Sequence, residues 1–262
     1  MPRNHPADIL PSTPCLDIPA SQAYARMRAS HATLILAMSS LLTAAGCAGG
    51  PPPEPAGDMR AAAGWEPLFD GRTLAGWRGY RQATPPAGWR VVDGAITRVG
   101  PGGDLITDAE FANFELELEW KISPGGNSGI IYRVVEDSTL DYVWRSGPEY
   151  QILDNGAHAD GRDPLTSAGS NFALYAPVRD VTRPVGEWNQ ARLVVNGSHV
   201  EHWMNGVKLL EYELGGPEWE QRVRASKFAS MPRYGRGARG HIALQEHEAW
   251  VAYRNLRIRR LP

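Results

Sequence analysis

Residues 147–155 read Gly-Pro-Glu-Tyr-Gln-Ile-Leu-Asp-Asn, with two carboxylates, Glu149 and Asp154, around one carboxamide, Gln151. Side chains of an extended chain alternate between faces, so Glu149 and Gln151 share one face and Tyr150 and Ile152 the other. An acid beside an amide can move a proton and hold hydroxyls, which is carbohydrate chemistry. A solvated strand face with its apolar pair on the core is the plainer alternative.

Two further stretches carry chemistry. In GGNSGIIYRV at 125–134, Asn127, Gly129, Ile131 and Arg133 alternate with Ser128, Ile130 and Tyr132. Either Arg133 or Tyr132 can line a site, and alternation alone does not choose. As a phosphate-cradling loop the stretch lacks the lysine and the following helix. In GHIALQEHEAW at 240–250, His241, Gln245 and His247 share one parity opposite Ile242 and Leu244. Imidazole beside amide suits hydroxyl binding or acid–base work near neutral pH. His202 and Trp203 precede a turn, and only one of them can face a groove.

Glu149, Asp154, His158 and His247 are all metal-ligand types, but their spacing is not diagnostic. A divalent metal is therefore compatible with the chain, and no cofactor is fixed. No dinucleotide fingerprint, G-x-S-x-G elbow, H-E-x-x-H or paired C-x-x-C is present, so no nucleotide cofactor is expected.

The elements that must position these groups read as strands. Phe114–Ile122, FELELEWKI, alternates apolar and charged residues throughout and predicts a half-buried antiparallel strand with its charged face in water. Asp93-Gly94, Asn196-Gly197 and Asn205-Gly206 sit between apolar alternations and predict hairpins. Residues 191–214 thus form a three-stranded meander, and 240–261 two closing strands. Only 216–228 suggests a short helix. Many short strands with frequent turns mean an all-β sandwich or jelly roll with antiparallel sheets, with no sign of a second domain or an internal repeat.

The 262 residues carry a formal net charge of −2, which gives no reason to expect nucleic acid or an anionic membrane surface as partner. Nine tryptophans suit sugar stacking. The stretch MRASHATLILAMSSLLTAAGC, ending at Cys47, has a basic start, an apolar run and small residues before the cysteine. It reads as a secretory signal closing on a lipobox, with Met27 the expected true start and Cys47 lipidated. Residues 1–46 are thus leader and signal peptide, 47–63 a Pro/Gly/Ala-rich tether, and 64–262 the folded domain. Export to the periplasm with a membrane contact only through lipid on Cys47 is expected. The other cysteine, Cys15, falls in the removed part, so no disulfide is expected.

The ordered series GWEPLFDGRTLAGWRG, DLIT, GNSGIIYR, GPEYQILDN, ALYAP, WNQARLVVNGSHVEHWMNG, SKF and GHIALQEHEAWVAYRNLRIRRL resembles the 3-keto-disaccharide hydrolase family from Gly64 to the C-terminus. The resemblance implies an exported, concanavalin-A-like jelly roll acting on 3-keto-glycosides, as hydrolase, 1,2-lyase or hydratase. It also implies a functional link to a sugar 3-dehydrogenase that supplies the oxidised sugar. Carried over by position, Glu149, Gln151 and Asp154 match the E-x-Q-x-x-D pattern. Asn127, Tyr132 and Arg133 match NSG-x-x-YR, and Gln245 and His247 match LQ-x-H. Elimination from such a sugar needs a base, an acid and donors to the enolate oxygen. The residues expected in those roles are Glu149 or His247 as base, Asp154 as orienting partner or metal ligand, and Arg133 or a metal for developing charge. Gln151, Gln245, Asn127, Tyr132, His202 and Lys227 would bind substrate. Where the family often has Asp-His-Gly, this chain departs from the pattern with Glu246-His247-Glu248. The competing readings are a non-catalytic lectin-like module and a conventional glycosidase using Glu149 and Asp154 directly.

Overall fold

The computed structural model describes residues 64–262. The leader, Cys47 and the tether lie outside the described residues. The larger sheet runs β11 (Val207–Glu213), β10 (His199–Met204), β9 (Asn189–Asn196), β6 (Phe114–Ile122), β13 (Val251–Arg260), β4 (Ala95–Arg98) and β3 (Trp89–Val92), with β1 (Trp65–Pro67) also on β13. The smaller sheet runs β2 (Trp77–Gly79), β5 (Leu105–Thr107), β12 (His241–Leu244), β7 (Asn127–Val134) and β8 (Glu149–Leu153). All recorded pairings are antiparallel. The two sheets face each other as a concanavalin-A-like jelly-roll sandwich.

Local chemistry explains the elements. At Asp93-Gly94 and Asn205-Gly206 both residues take positive φ, 50° and 74° in the first and 50° and 81° in the second. That is the type I′ geometry that Asp or Asn followed by Gly adopts at least cost. On β6, Phe114, Leu116, Leu118, Trp120 and Ile122 point into the core. Each such side chain contributes roughly 1.5–3 kcal/mol by leaving water.

The opposite face of β6 departs from the expected solvated stripe. Glu115 is buried, held by Arg192 at 2.5 Å and by Arg259, while Glu117 takes Arg257 and Glu119 takes Arg254. The acidic alternation is one half of a cross-strand ion-pair ladder. The helix is shorter than its sequence window: α1 spans Pro217–Arg224, and a 3-10 turn follows at Lys227–Ser230.

The smaller sheet has two different faces. Tyr150, Ile152, Ile130, Tyr132, Ile242 and Leu244 turn into the main core. Ile106, Ile131, Val134 and Ala243 turn outward under loops that bring Tyr80 and Val143 over them as a second, smaller core. Both faces of this sheet are thus covered, and the outer one holds the polar residues of interest.

Candidate active site

β8 presents Glu149 and Gln151 on the outer face, opposite Tyr150 and Ile152, as the alternation requires. They are nevertheless buried, at 6% and 0% exposure, because the chain folds back over them. Residues 169–172 run along β8: Gly169 donates to the Gln151 carbonyl, the Gln151 amide donates to Ser170, and Phe172 donates to the Glu149 carbonyl. This closes the sheet edge, and Phe172 with Trp144, Asp160 and Lys227 lines the space over the two side chains. The strand is not a solvated one.

Across the ladder, Gly129 pairs with Gln151 and Ile131 with Glu149. A Cβ at Gly129 would stand 2.3 Å from Glu149 Oε1, so only glycine lets the carboxyl lie across β7. Gln151, oriented with its nitrogen toward acceptors, donates to the Ser128 carbonyl at 3.0 Å and to Glu149 Oε1 at 3.1 Å. These side chains border a hollow of about 220 Å³ lined also by Asn127, Gln245, His247, Lys227, Trp144, Phe172 and Asp160. That is below the ~300–1,000 Å³ of drug-sized sites and suits a single small ring.

Charge in the hollow is unusual. Burial pushes the Glu149 carboxyl up to about 8; Lys227 opposes the shift, and Asp104 and Asp160 add to it. Lys227 is lowered by burial, against the pull of Glu149 and Asp160. Its Nζ stands 4.2 Å from the Phe172 ring centroid, 5.2 Å from Phe228 and 5.6 Å from Trp144. Aromatic faces attract a cation, so the ammonium is held within the hollow without a carboxylate clamp. Locally, the Ser226 hydroxyl caps the turn by accepting from the Phe228 N–H, and Phe228 stacks on Tyr234 at 3.9 Å. That packing fixes where Lys227 reaches.

Gln245 and His247 follow β12 on a loop pinned from outside. The Glu246 N–H donates to Asp104 at 2.8 Å, while Arg98 grips the Glu246 carboxylate and the Glu248 carbonyl. Burial raises Asp104 to about 6, with the bond from Glu246 N–H opposing. Glu248 takes φ 61°, a conformation glycine adopts freely, which accounts for the family's glycine at that place. The Asn127 and Gln245 side-chain oxygens have no protein partner among the described residues. Buried acceptors without donors are costly, and a ligand hydroxyl would satisfy them.

Of the residues singled out by sequence, Glu149, Gln151, Asn127, Gln245, His247 and Lys227 come together here. Four do not. Tyr132 and His202 lie between the sheets: His202 Nδ1 donates to the Gly169 carbonyl at 3.1 Å, and its Nε2 accepts from the Tyr132 hydroxyl at 3.2 Å. Burial drops the His202 imidazole to about 3, so it stays neutral as a core link. Arg133 is displaced by a β-bulge. The β12 partners step from His241 to Ala243 while β7 steps from Val134 to Ile131, and Arg133 takes φ 53°. The extra residue turns its guanidinium to the Gly197 and Ala112 carbonyls, at 2.7 and 3.2 Å, away from the hollow. Asp154 accepts from the Gly125 and Gly156 amides at 2.7 and 3.0 Å and borders a neighbouring hollow.

His158 caps the turn at Ala159–Arg162, its Nδ1 accepting from the Asp160 N–H. With Asp154 and His158 elsewhere, the four sequence candidates do not assemble a metal centre. Among the described residues, the ligand-type atoms that do converge are those of His199, Glu201 and Glu211, with Lys208 already 2.8 Å from Glu211. They lie on the β10–β11 pair at the edge of the larger sheet. Trp144, Phe172, Asp160 and Asp104 carry no signal of their own in the sequence. Asp104 heads the DLIT segment and Phe172 directly precedes ALYAP, so position beside an ordered motif was the available clue; Asp160 and Trp144 had none.

Residues 64–259 match the model of the 3-keto-alpha-glucoside-1,2-lyase-like domain. A 3-keto-disaccharide hydrolase of Bacteroides thetaiotaomicron is 37% identical, over 61% of this chain and 62% of the relative. The chain therefore spans under two thirds of that relative's length. The crystal structure of a candidate glycosyl hydrolase from Parabacteroides distasonis is similar with a TM-score of 0.74 at 31% identity, over 78% of this chain and 97% of that one. A second candidate glycosyl hydrolase from the same organism gives 0.59 at 27% identity, over 75% and 99%.

Proposed function

Because the chain belongs to the 3-keto-alpha-glucoside-1,2-lyase-like family, we propose that its hollow cleaves the glycosidic bond of a 3-keto-glycoside by elimination and hydration. The observation that carries this reading is a buried carboxyl of raised pKa, Glu149, sharing one ring-sized hollow with an aromatic-caged ammonium, Lys227. A ketone at C3 acidifies the proton on C2, because the carbanion delocalises into an enolate. Glu149 takes that proton as a carboxylate, and a base whose pKa lies near 8 is well matched to working pH. Gln151 orients it by donating to Oε1.

Lys227 faces the charge that develops on the C3 oxygen, the part expected of Arg133 or a metal from the sequence. His247 returns a proton to the leaving glycosidic oxygen. Asn127 and Gln245 accept from sugar hydroxyls. Water then adds across the enone-type product, and the sum is hydrolysis. A conventional glycosidase that paired Glu149 with Asp154 would need both acids across one bond, and Asp154 lies in the next hollow, while the second carboxylate at this one is Asp160.

The test uses a 3-keto-glucoside in D2O with purified protein. The expected outcome is transient enone absorbance, release of the aglycone and deuterium at C2 of the product. Binding without turnover would make the protein a lectin-like module instead, and cleavage of the unoxidised sugar would make it an ordinary glycosidase. A substrate of this kind must be supplied by a reaction that oxidises a sugar at C3. Export and a lipid on Cys47 belong to the same proposal; incorporation of labelled fatty acid that disappears in Cys47→Ala is the outcome expected.

A further inference from the structure

Gln151 and Leu153 stand two residues apart on β8, yet they line different hollows. The second hollow, about 330 Å³, opens between the ends of the two sheets. Trp120 and Leu153 floor it from opposite sheets, and the strap 180–187 crosses its mouth beside Asp154. Trp120 is 2% exposed, and its Nε1–H has no acceptor among the described residues. An indole N–H buried without a partner calls for an oxygen from outside.

We propose that this hollow is a second carbohydrate subsite, which takes the unoxidised pyranose of the glycoside whose keto ring sits beside Glu149. The inference rests on the glycoside reading above. Its chemistry is that of a neutral hydroxylated ring. An apolar floor takes the C–H face, the indole N–H meets a ring or hydroxyl oxygen, and carboxylates at the rim accept from hydroxyls. Asp154 accepts one backbone amide on each oxygen and has lone pairs to spare. Asp180 is held by Thr182 and by the Asn155 amide at 2.9 Å, so it too is a fixed acceptor. With Glu187 the rim carries three carboxylates against Arg183 alone, which disfavours an anionic ligand. The N–H donors already on Asp154 and Asp180 point at the oxygens a bare cation would need.

The experiment is a nuclear magnetic resonance titration of 15N-labelled protein with methyl α- and β-D-glucopyranoside. The Trp120 indole signal is identified by its loss in Trp120→Phe. The expected result is a saturable shift of that signal with at least one anomer, weakened at least fivefold by Val185→Phe, which narrows the mouth at an exposed residue. The same variant raises KM for a 3-keto-disaccharide and leaves kcat/KM for methyl 3-keto-glucoside unchanged. A Trp120 signal static at tens of millimolar sugar overturns the subsite, whether or not the Trp144 indole moves. A shift that Val185→Phe leaves intact overturns its placement. Neither outcome depends on turnover, so failure of the elimination reading is seen separately, as an inert protein whose Trp120 signal still titrates.

Discussion

Glu149 is where burial and chemistry meet most sharply. A carboxyl that ionises at about 8 in the folded chain and near its ordinary 4.5 when unfolded keeps its proton on folding between those values. The unfolded state therefore binds fewer protons in that window, and stability falls as pH rises from about 4.5 toward 8. Glu149→Gln removes this dependence. In chemical denaturation at pH 9 the variant is expected to exceed the parent by at least ~1 kcal/mol, the worth of a single pKa unit. It is also expected to lose ~10²–10⁴-fold in kcat, the span a positioned acid–base group contributes. In the parent, kcat/KM on a 3-keto-glucoside should climb as pH rises through Glu149's ionisation. A rate that instead declines there would assign Glu149 as the acid. Lys227→Met should lower kcat by ~10²–10³-fold, as loss of a charge-stabilising donor does, with Lys227→Arg recovering part. Strand parity made Glu149 and Gln151 visible as a pair in the sequence. Their burial was not, because the residues that surround them, Trp144, Asp160, Phe172 and Lys227, come from separate stretches with no shared periodicity.

At the scale of elements, the bulge on β7 and the pinned loop after β12 decide which side chains reach the hollow. Period-two alternation places Arg133 with Asn127 and Ile131; one inserted residue reverses it, and nothing in NSGIIYRV announces a left-handed Arg133. Arg133 ties β7 to the 112 and 197 backbones, so Arg133→Ala should lower the midpoint of thermal unfolding while leaving kcat and KM of the folded fraction unchanged. A loss of kcat without loss of stability would restore it to the chemistry. The loop behaves oppositely. Asp104 and Arg98 stand outside the lining of the hollow but hold Glu246 and Glu248, hence the stretch bearing Gln245 and His247. Asp104→Ala is expected to raise KM severalfold while moving Tm only slightly. The hairpins, by contrast, were plain in the sequence, since Asp-Gly and Asn-Gly state their φ requirement directly.

For the molecule as a whole, the question is whether residues 64–262 need anything before them. Among the described residues, both sheets, the main core from Trp77 to Ile258 and the smaller outer core are complete within this span. A domain of about 200 residues buries some 70% of its chain's surface, enough to fold without disulfide or metal. All nine residues that line the hollow, from Asn127 to His247, also lie within this span. A polypeptide of 64–262 should therefore show the same Tm within a few degrees and the same kcat/KM on a soluble 3-keto-glucoside as the longer chain. Differential scanning calorimetry and a progress curve decide the matter. A truncated chain that unfolds earlier would mean that residues before Gly64 complete the sandwich. One that folds equally well but loses activity would mean that they reach the hollow. With both properties retained, fold and chemistry alike belong to residues 64–262.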